Sequence, residues 1–158
     1  MNTTQRTKAT RRNYRQASIL VVEDDSAQWT IIRMALQQVM PEVGLFWAAS
    51  DQEAIRYLET CSDDKTDYPK LILLDLYLPR REDGWRLLGW FKNKDGALHR
   101  IPVVVLSNST DQADVRAAYE QGVTSFLIKP LDYDHWLDYF RTLKQYWWDT
   151  VTLPDSRS

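Results

Sequence analysis

Four short apolar runs in this chain each end in polar chemistry, and that pattern constrains the fold more than any other feature. Ile19 to Val22 runs into Glu23-Asp24-Asp25, and Leu71 to Leu74 into Asp75. Val103 to Leu106 runs into Ser107-Asn108, and Phe126 to Ile128 into Lys129-Pro130. Runs of four or five apolar residues without polar alternation are the strands of a parallel sheet covered on both faces. In an open parallel sheet the carboxyl ends of the strands line one crevice, where ligands bind. A carboxylate at the tip of a buried strand costs free energy unless something compensates it. The chain therefore predicts one site built from acids, a hydroxyl and an ammonium.

The segments between the runs read as helices. Ala27–Met40 carries Ile31, Met34, Ala35, Gln38 and Val39 at helical spacing and stops at Pro41. Val43–Trp47 is a further short strand. Ser50 or Asp51 caps a second helix, with Glu53 three residues after Ser50 as a capping box requires. A polar loop over 61–69 leads into the strand 71–74. Gly84 is expected to open the third helix, with Leu87, Leu88 and Phe91 on one side. Thr110 or Asp111 caps the fourth helix, which Gly122 ends, and the fifth runs from about Asp132 to Trp148. The order predicts five parallel strands with five helices on both faces, an α/β sandwich.

At 158 residues the chain suits one domain, expected over 18–150. The first 17 residues hold Arg6, Lys8, Arg11, Arg12 and Arg15 and no acid, a charge of +5. The rest carries 15 basic and 22 acidic residues, net −7. We expect a basic flexible tail over 1–17 and a second tail over 151–158. A basic arm alone supports salt-sensitive, sequence-blind contact with nucleic acid, so no specific nucleic-acid binding is expected. No apolar stretch reaches transmembrane length, and the lone Cys61 has no disulfide partner within the chain. Both point to a cytoplasmic protein. His99 and His135 read as surface residues.

Glu23, Asp24 and Asp75 are hard oxygen ligands suited to a small divalent cation such as Mg2+. Three like charges in one pocket raise at least one pKa unless a counterion intervenes. With Asp75 as nucleophile, Lys129 as a point charge and the Ser107 hydroxyl as donor, the set suits phosphoryl transfer to a carboxylate.

Val22-Glu23-Asp24-Asp25, Asp75-Leu76-Tyr77-Leu78-Pro79, Asp83-Gly84, Val105-Leu106-Ser107 and Lys129-Pro130 together resemble the receiver domain of two-component response regulators, over about residues 18–150. The resemblance implies the flavodoxin-like receiver fold, with Asp75 phosphorylated from the phosphohistidine of a sensor histidine kinase. It implies Mg2+ on Glu23, Asp24, Asp75 and the backbone carbonyl of Tyr77. It gives Ser107 and Lys129 the phosphoryl group, makes Phe126 and Asn108 part of the switch region, and makes Lys129–Pro130 a cis peptide. The function implied is that of a phosphoacceptor switch without enzymatic turnover. The alternative is a phosphate-independent interaction module of the same fold.

The loop 61–69, the run Arg100 to Ser107 and the ending Tyr146-Trp147-Trp148 resemble the single-domain regulators that serve bacterial phytochromes. Two departures stand out. The segment between Pro79 and Asp83 is one residue longer than the common spacing, and Asn108 stands where a small residue is frequent. An aspartyl phosphatase would need an acid two residues after Asp75, where Tyr77 stands. In the last helix Trp136, Phe140, Leu143 and Trp147 share a stripe expected to face the sheet. Tyr133, Leu137 and Trp148 fall off that stripe and are expected to form an exposed aromatic surface. They would extend a homodimer face made by the fourth helix, fifth strand and fifth helix.

Overall fold

A computed structural model describes residues 17–63, 68–93 and 97–148. Residues 1–16 of the expected tail over 1–17, the whole of the expected tail over 151–158, the tip of the polar loop and the side chain of Trp147 lie outside the described residues.

Five strands alternate with helices: β1 (Ser18–Val22), α1 (Ser26–Val39), β2 (Gly44–Ala48), α2 (Asp51–Asp63), β3 (Leu71–Asp75), α3 (Arg81–Lys92), a single turn α4 (Ala97–Arg100), β4 (Val103–Ser107), α5 (Gln112–Glu120), β5 (Ser125–Ile128) and α6 (Tyr133–Leu143). All strand pairs are parallel, in the order β2-β1-β3-β4-β5. The expected fourth and fifth helices are thus α5 and α6, and α4 is an additional turn between α3 and β4. Ala17 is already buried, and its carbonyl accepts from the Gly44 amide at 2.9 Å.

The central strands are apolar throughout, and their pleat still divides them between two cores. Ile19, Val21, Leu71, Leu73, Val104 and Leu106 meet Ile32, Ala35 and Leu36 of α1 and Trp136 and Phe140 of α6. Leu20, Val22, Ile72, Leu74, Val103 and Val105 meet Ala54 and Leu58 of α2, Leu87, Leu88 and Phe91 of α3, and Ala118 of α5. Successive side chains point to opposite faces of a strand, so a strand with helices on both sides must be apolar at every position.

The helix starts follow local chemistry. Asp25 caps α1, accepting from the amides of Ala27 at 2.8 Å and Gln28 at 3.3 Å. Ser50 Oγ accepts from the Glu53 amide at 3.1 Å, and Glu53 Oε2 accepts from the Ala49 amide at 2.7 Å. This is a capping box displaced by one residue. Asp111 caps α5 and Asp132 caps α6. Gly122, just past the end of α5, has φ 90°, which favours glycine at a helix C-terminus.

Three expectations change. Gly84 does not open α3; the helix starts at Arg81, and Gly84 lies in its first turns. The reason is packing: a Cβ on Gly84 would overlap the backbone carbonyl of Leu76. The glycine lets α3 lie directly on the loop that follows Asp75.

The second change concerns the last helix. Leu137 and Trp148 are core residues, at 7% and 0% exposure, and Tyr133 is half-buried against the same core. These residues therefore do not form an exposed aromatic surface. α6 packs against α1 as well as the sheet, which widens its buried face to include Leu137. Beyond Leu143 the chain makes a π-turn over Lys144–Trp148. Its wider winding turns the chain less per residue than an α-helix does, and Trp148 falls on the inner side.

The third change is the cis peptide. Lys129–Pro130 is trans, and the cis bond among the described residues is Leu78–Pro79. Cis and trans X–Pro forms differ by only about 0.5–1 kcal/mol. Surrounding packing therefore selects the isomer, and residue identity does not.

Candidate phosphoacceptor site

The carboxyl ends of β1, β3, β4 and β5 bring the expected residues into one pocket. Each carboxylate of Glu23, Asp24 and Asp75 offers an oxygen within 4.8 Å of the others. Glu23 and Asp75 are buried and Asp24 is exposed, so the cluster opens to solvent on one side. Lys129 Nζ reaches across from the end of β5, 2.8 Å from Glu23 Oε2 and 3.5 Å from Asp75 Oδ2. Two neutral donors complete the frame. The Tyr77 amide donates to Asp75 Oδ1 at 3.2 Å, and the Asp25 amide to Glu23 Oε1 at 3.2 Å.

Backbone pairing fixes how these ends meet. The Leu76 amide donates to the Leu106 carbonyl at 3.2 Å, and the Lys129 amide to the Ser107 carbonyl at 2.9 Å. The ladder thus continues one residue past each strand and carries Asp75, Ser107 and Lys129 to the same rim. Ser107 is buried, with its Oγ accepting from the Ser109 amide at 3.0 Å. Asn108 is exposed beside it. Tyr77 stands at the mouth with 37% of its surface exposed. Phe126 is half-buried against the core on its side of the sheet, and its amide donates to the Tyr119 hydroxyl at 3.4 Å.

Electrostatics follow from this crowding. Burial first, then the charge of Glu23, pushes the Asp75 carboxyl up to about 8 against the opposing pull of Lys129. For Lys129, burial lowers the pKa, but Asp75 and Glu23 outweigh it and leave the pKa raised. Asp75 carries more negative potential than one ammonium relieves. An acidic oxygen cluster with that surplus fits a hard divalent cation.

Two supports were not expected from the sequence. Trp47 Nε1 donates to the Glu23 carbonyl at 2.7 Å, and its ring stacks on Trp29 with centroids 5.5 Å apart. The second lies behind Ser107: Ser109 Oγ donates to Asp114 Oδ2 at 2.8 Å, and Asp114 forms an ion pair with Arg81. One signal for it was present, since Asp114 stands four residues before buried Ala118, an acid on the apolar side of an amphipathic helix. Asp83 is buried too, with Arg80 at 3.6 Å and Arg86 at 3.4 Å.

A doubly covered parallel sheet with an acid trio, a hydroxyl and a lysine at its carboxyl rim defines a class. The chain belongs to the response regulator receiver domain family, whose model matches residues 19–141. Among its relatives is the probable methanogenesis regulatory protein FilR2 of Methanothrix harundinacea, 36% identical over 129 residues and covering 82% of each chain. The response regulator Rcp1 of Synechocystis sp. is 34% identical over 137 residues, 86% of this chain and 92% of Rcp1. The crystal structure of the Mn2+-bound form of Rcp1 superposes with a TM-score of 0.75, over 87% of this chain and 99% of that one. That of the phosphorylated cyanobacterial phytochrome response regulator RcpA does so with a TM-score of 0.78 at 32% identity, over 89% of this chain and 99% of RcpA. The protein is thus a two-component response regulator related to the phytochrome regulators. No helix among the described residues is long and apolar enough to cross a membrane.

Proposed function

We propose that Asp75 accepts a phosphoryl group from the phosphohistidine of a sensor histidine kinase, and that the chain works as a cytoplasmic single-domain switch. The observation that carries this is the convergence of Lys129, Glu23 and Asp24 on the carboxylate of Asp75. An Asp75 oxygen attacks phosphorus, the phosphorus–nitrogen bond breaks, and its electron pair returns to the imidazole, leaving an acyl phosphate on Asp75. Lys129 supplies positive charge for one phosphoryl oxygen, and the Ser107 hydroxyl donates to another. Glu23, Asp24, Asp75 and the Tyr77 carbonyl would hold a divalent cation, Mg2+ in our reading, which would supply positive charge beside the carboxylates and the phosphoryl oxygens.

Phosphorylation then draws the Ser107 hydroxyl toward the new group, and Phe126 moves inward as the loop at Asn108 shifts. This is a packing change biased by added charge. The likeness to RcpA supports a phytochrome-type kinase as the donor. The apolar residues Tyr119 of α5, Ile128 of β5 and Leu131 of the β5–α6 connection are exposed, and they support a homodimer through α5, β5 and α6. Sedimentation showing only an 18.6 kDa species, with and without phosphorylation, refutes that dimer. The complete acid–serine–lysine set weighs against a phosphate-independent module.

The test is incubation with acetyl phosphate and Mg2+. The wild-type chain gains one phosphoryl group by intact mass and Asp75→Asn gains none. Equal labelling of the two, or labelling of neither, overturns the reading.

A further inference from the structure

The β4–α5 loop is fastened from behind. Ser109 holds the Ser107 hydroxyl through its amide, at 3.0 Å. Its own hydroxyl donates to Asp114 Oδ2 at 2.8 Å and accepts from the Asp111 amide at 3.1 Å. Asp114 is a buried carboxylate, and its counterion is Arg81, the first residue of α3. The Arg81 guanidinium lies over the Trp85 ring, 5.9 Å from the centroid. Capping does not require this arrangement, because Asp111 already caps α5 by accepting from the Ala113 amide at 2.9 Å.

A buried carboxylate costs free energy unless it is paired and hydrogen-bonded. Arg81 and Ser109 supply the pairing here, and each belongs to a segment next to the phosphoacceptor pocket. Arg81 follows the loop that leaves Asp75, and Ser109 lies in the β4–α5 loop, two residues after Ser107. A contact made in one state of a two-state element and lost in the other stabilises the first.

We propose that Arg81, Asp114 and Ser109 form a latch that holds the β4–α5 loop, and with it Ser107, in the unphosphorylated arrangement. The three are positioning residues. None touches the phosphoryl group; they set how much of its binding free energy is used to move Ser107. This rests on Asp75 as phosphoacceptor and on movement of Ser107 toward the phosphoryl group. It adds a determinant of how readily the switch throws.

The experiment titrates the full chain with beryllofluoride, a phosphoryl mimic, at saturating Mg2+, following bound fluoride by fluorine NMR. Mg2+ affinity alone is measured in parallel. Ser109→Ala tightens beryllofluoride binding about fivefold, the equivalent of one net hydrogen bond, and leaves Mg2+ affinity unchanged. Ser109→Thr, which keeps the hydroxyl, restores the wild-type value. Arg81→Met shifts binding in the same direction as Ser109→Ala. Unchanged or weaker beryllofluoride binding in Ser109→Ala and Arg81→Met, with wild-type binding intact, overturns the latch alone. Absence of beryllofluoride binding by the wild type overturns the phosphoacceptor reading and the latch together.

Discussion

The ammonium of Lys129 stands 2.8 Å from Glu23 Oε2, joining residues 106 positions apart inside the pocket. Both side chains are almost fully withdrawn from solvent. Removing one partner of such a pair leaves an uncompensated buried charge, which costs about 3–5 kcal/mol. Lys129→Met, similar in length and uncharged, is expected to destabilise the metal-free protein by that order. A divalent cation should restore part of the loss, because it replaces the missing positive charge. Urea unfolding with and without Mg2+ measures both effects, and an unchanged midpoint in the metal-free variant would refute this account.

The raised pKa of Asp75 sets a pH dependence with a definite sign. In the metal-free protein the group binds its proton more tightly folded than unfolded, at about 8 against 3.8. Its contribution to stability is therefore fully present below about pH 4 and lost as the pH climbs through about 8. Divalent-cation binding near pH 7 should displace about one proton, and apparent metal affinity should rise up to about pH 8 and then level off. Calorimetry in buffers of different ionisation enthalpy counts the protons. Asp75→Asn should abolish the release, and an equal release in that variant would assign it elsewhere.

Gly84→Ala reverses an ordinary trend. In an open helix interior, alanine is favoured over glycine by about 1 kcal/mol. Here the added methyl would overlap the Leu76 carbonyl, so α3 or the loop after Asp75 must shift, at a typical overpacking cost of about 1–3 kcal/mol. The variant should be less stable and slower to be labelled by acetyl phosphate. A stability equal to or above that of wild type would show that the close approach is not constraining.

Tyr77 stands at the mouth of the pocket, two residues after Asp75, with a bulky ring partly in solvent. We expect it to shield the acyl phosphate from water. Tyr77→Asn should dephosphorylate severalfold faster while being labelled normally. Decay of the labelled species, followed by intact mass after removal of acetyl phosphate, decides the matter, and identical decay rates would dismiss the shielding role.

Much of the site was legible before folding because the chemistry stands at local boundaries. Glu23, Asp75, Ser107 and Lys129 each follow an apolar run directly, and a parallel sheet carries such boundaries to one rim. Helix starts near Ser50, Asp111 and Asp132 were legible for a similar reason, since capping involves residues only two or three apart. Gly84 misled because its role is a contact with Leu76 rather than a local turn. The Arg81–Asp114–Ser109 tie escaped notice because its three members lie on separate segments.

The amphipathic pattern of the last helix states which residues are apolar but not how wide its buried face is. That width depends on α1 packing beside it, which draws in Leu137. The π-turn after Leu143 then turns Trp148 inward, a change of phase that no residue of the turn announces. The isomer at Pro79 and Pro130 is also decided by surroundings. The sequence by itself determined the parallel sheet and the chemistry at its rim, because hydrophobic runs and the residues ending them act over a few positions. Only the tertiary structure decided which apolar faces are covered and which buried charges are paired, because those outcomes depend on segments distant in the chain and adjacent only after folding.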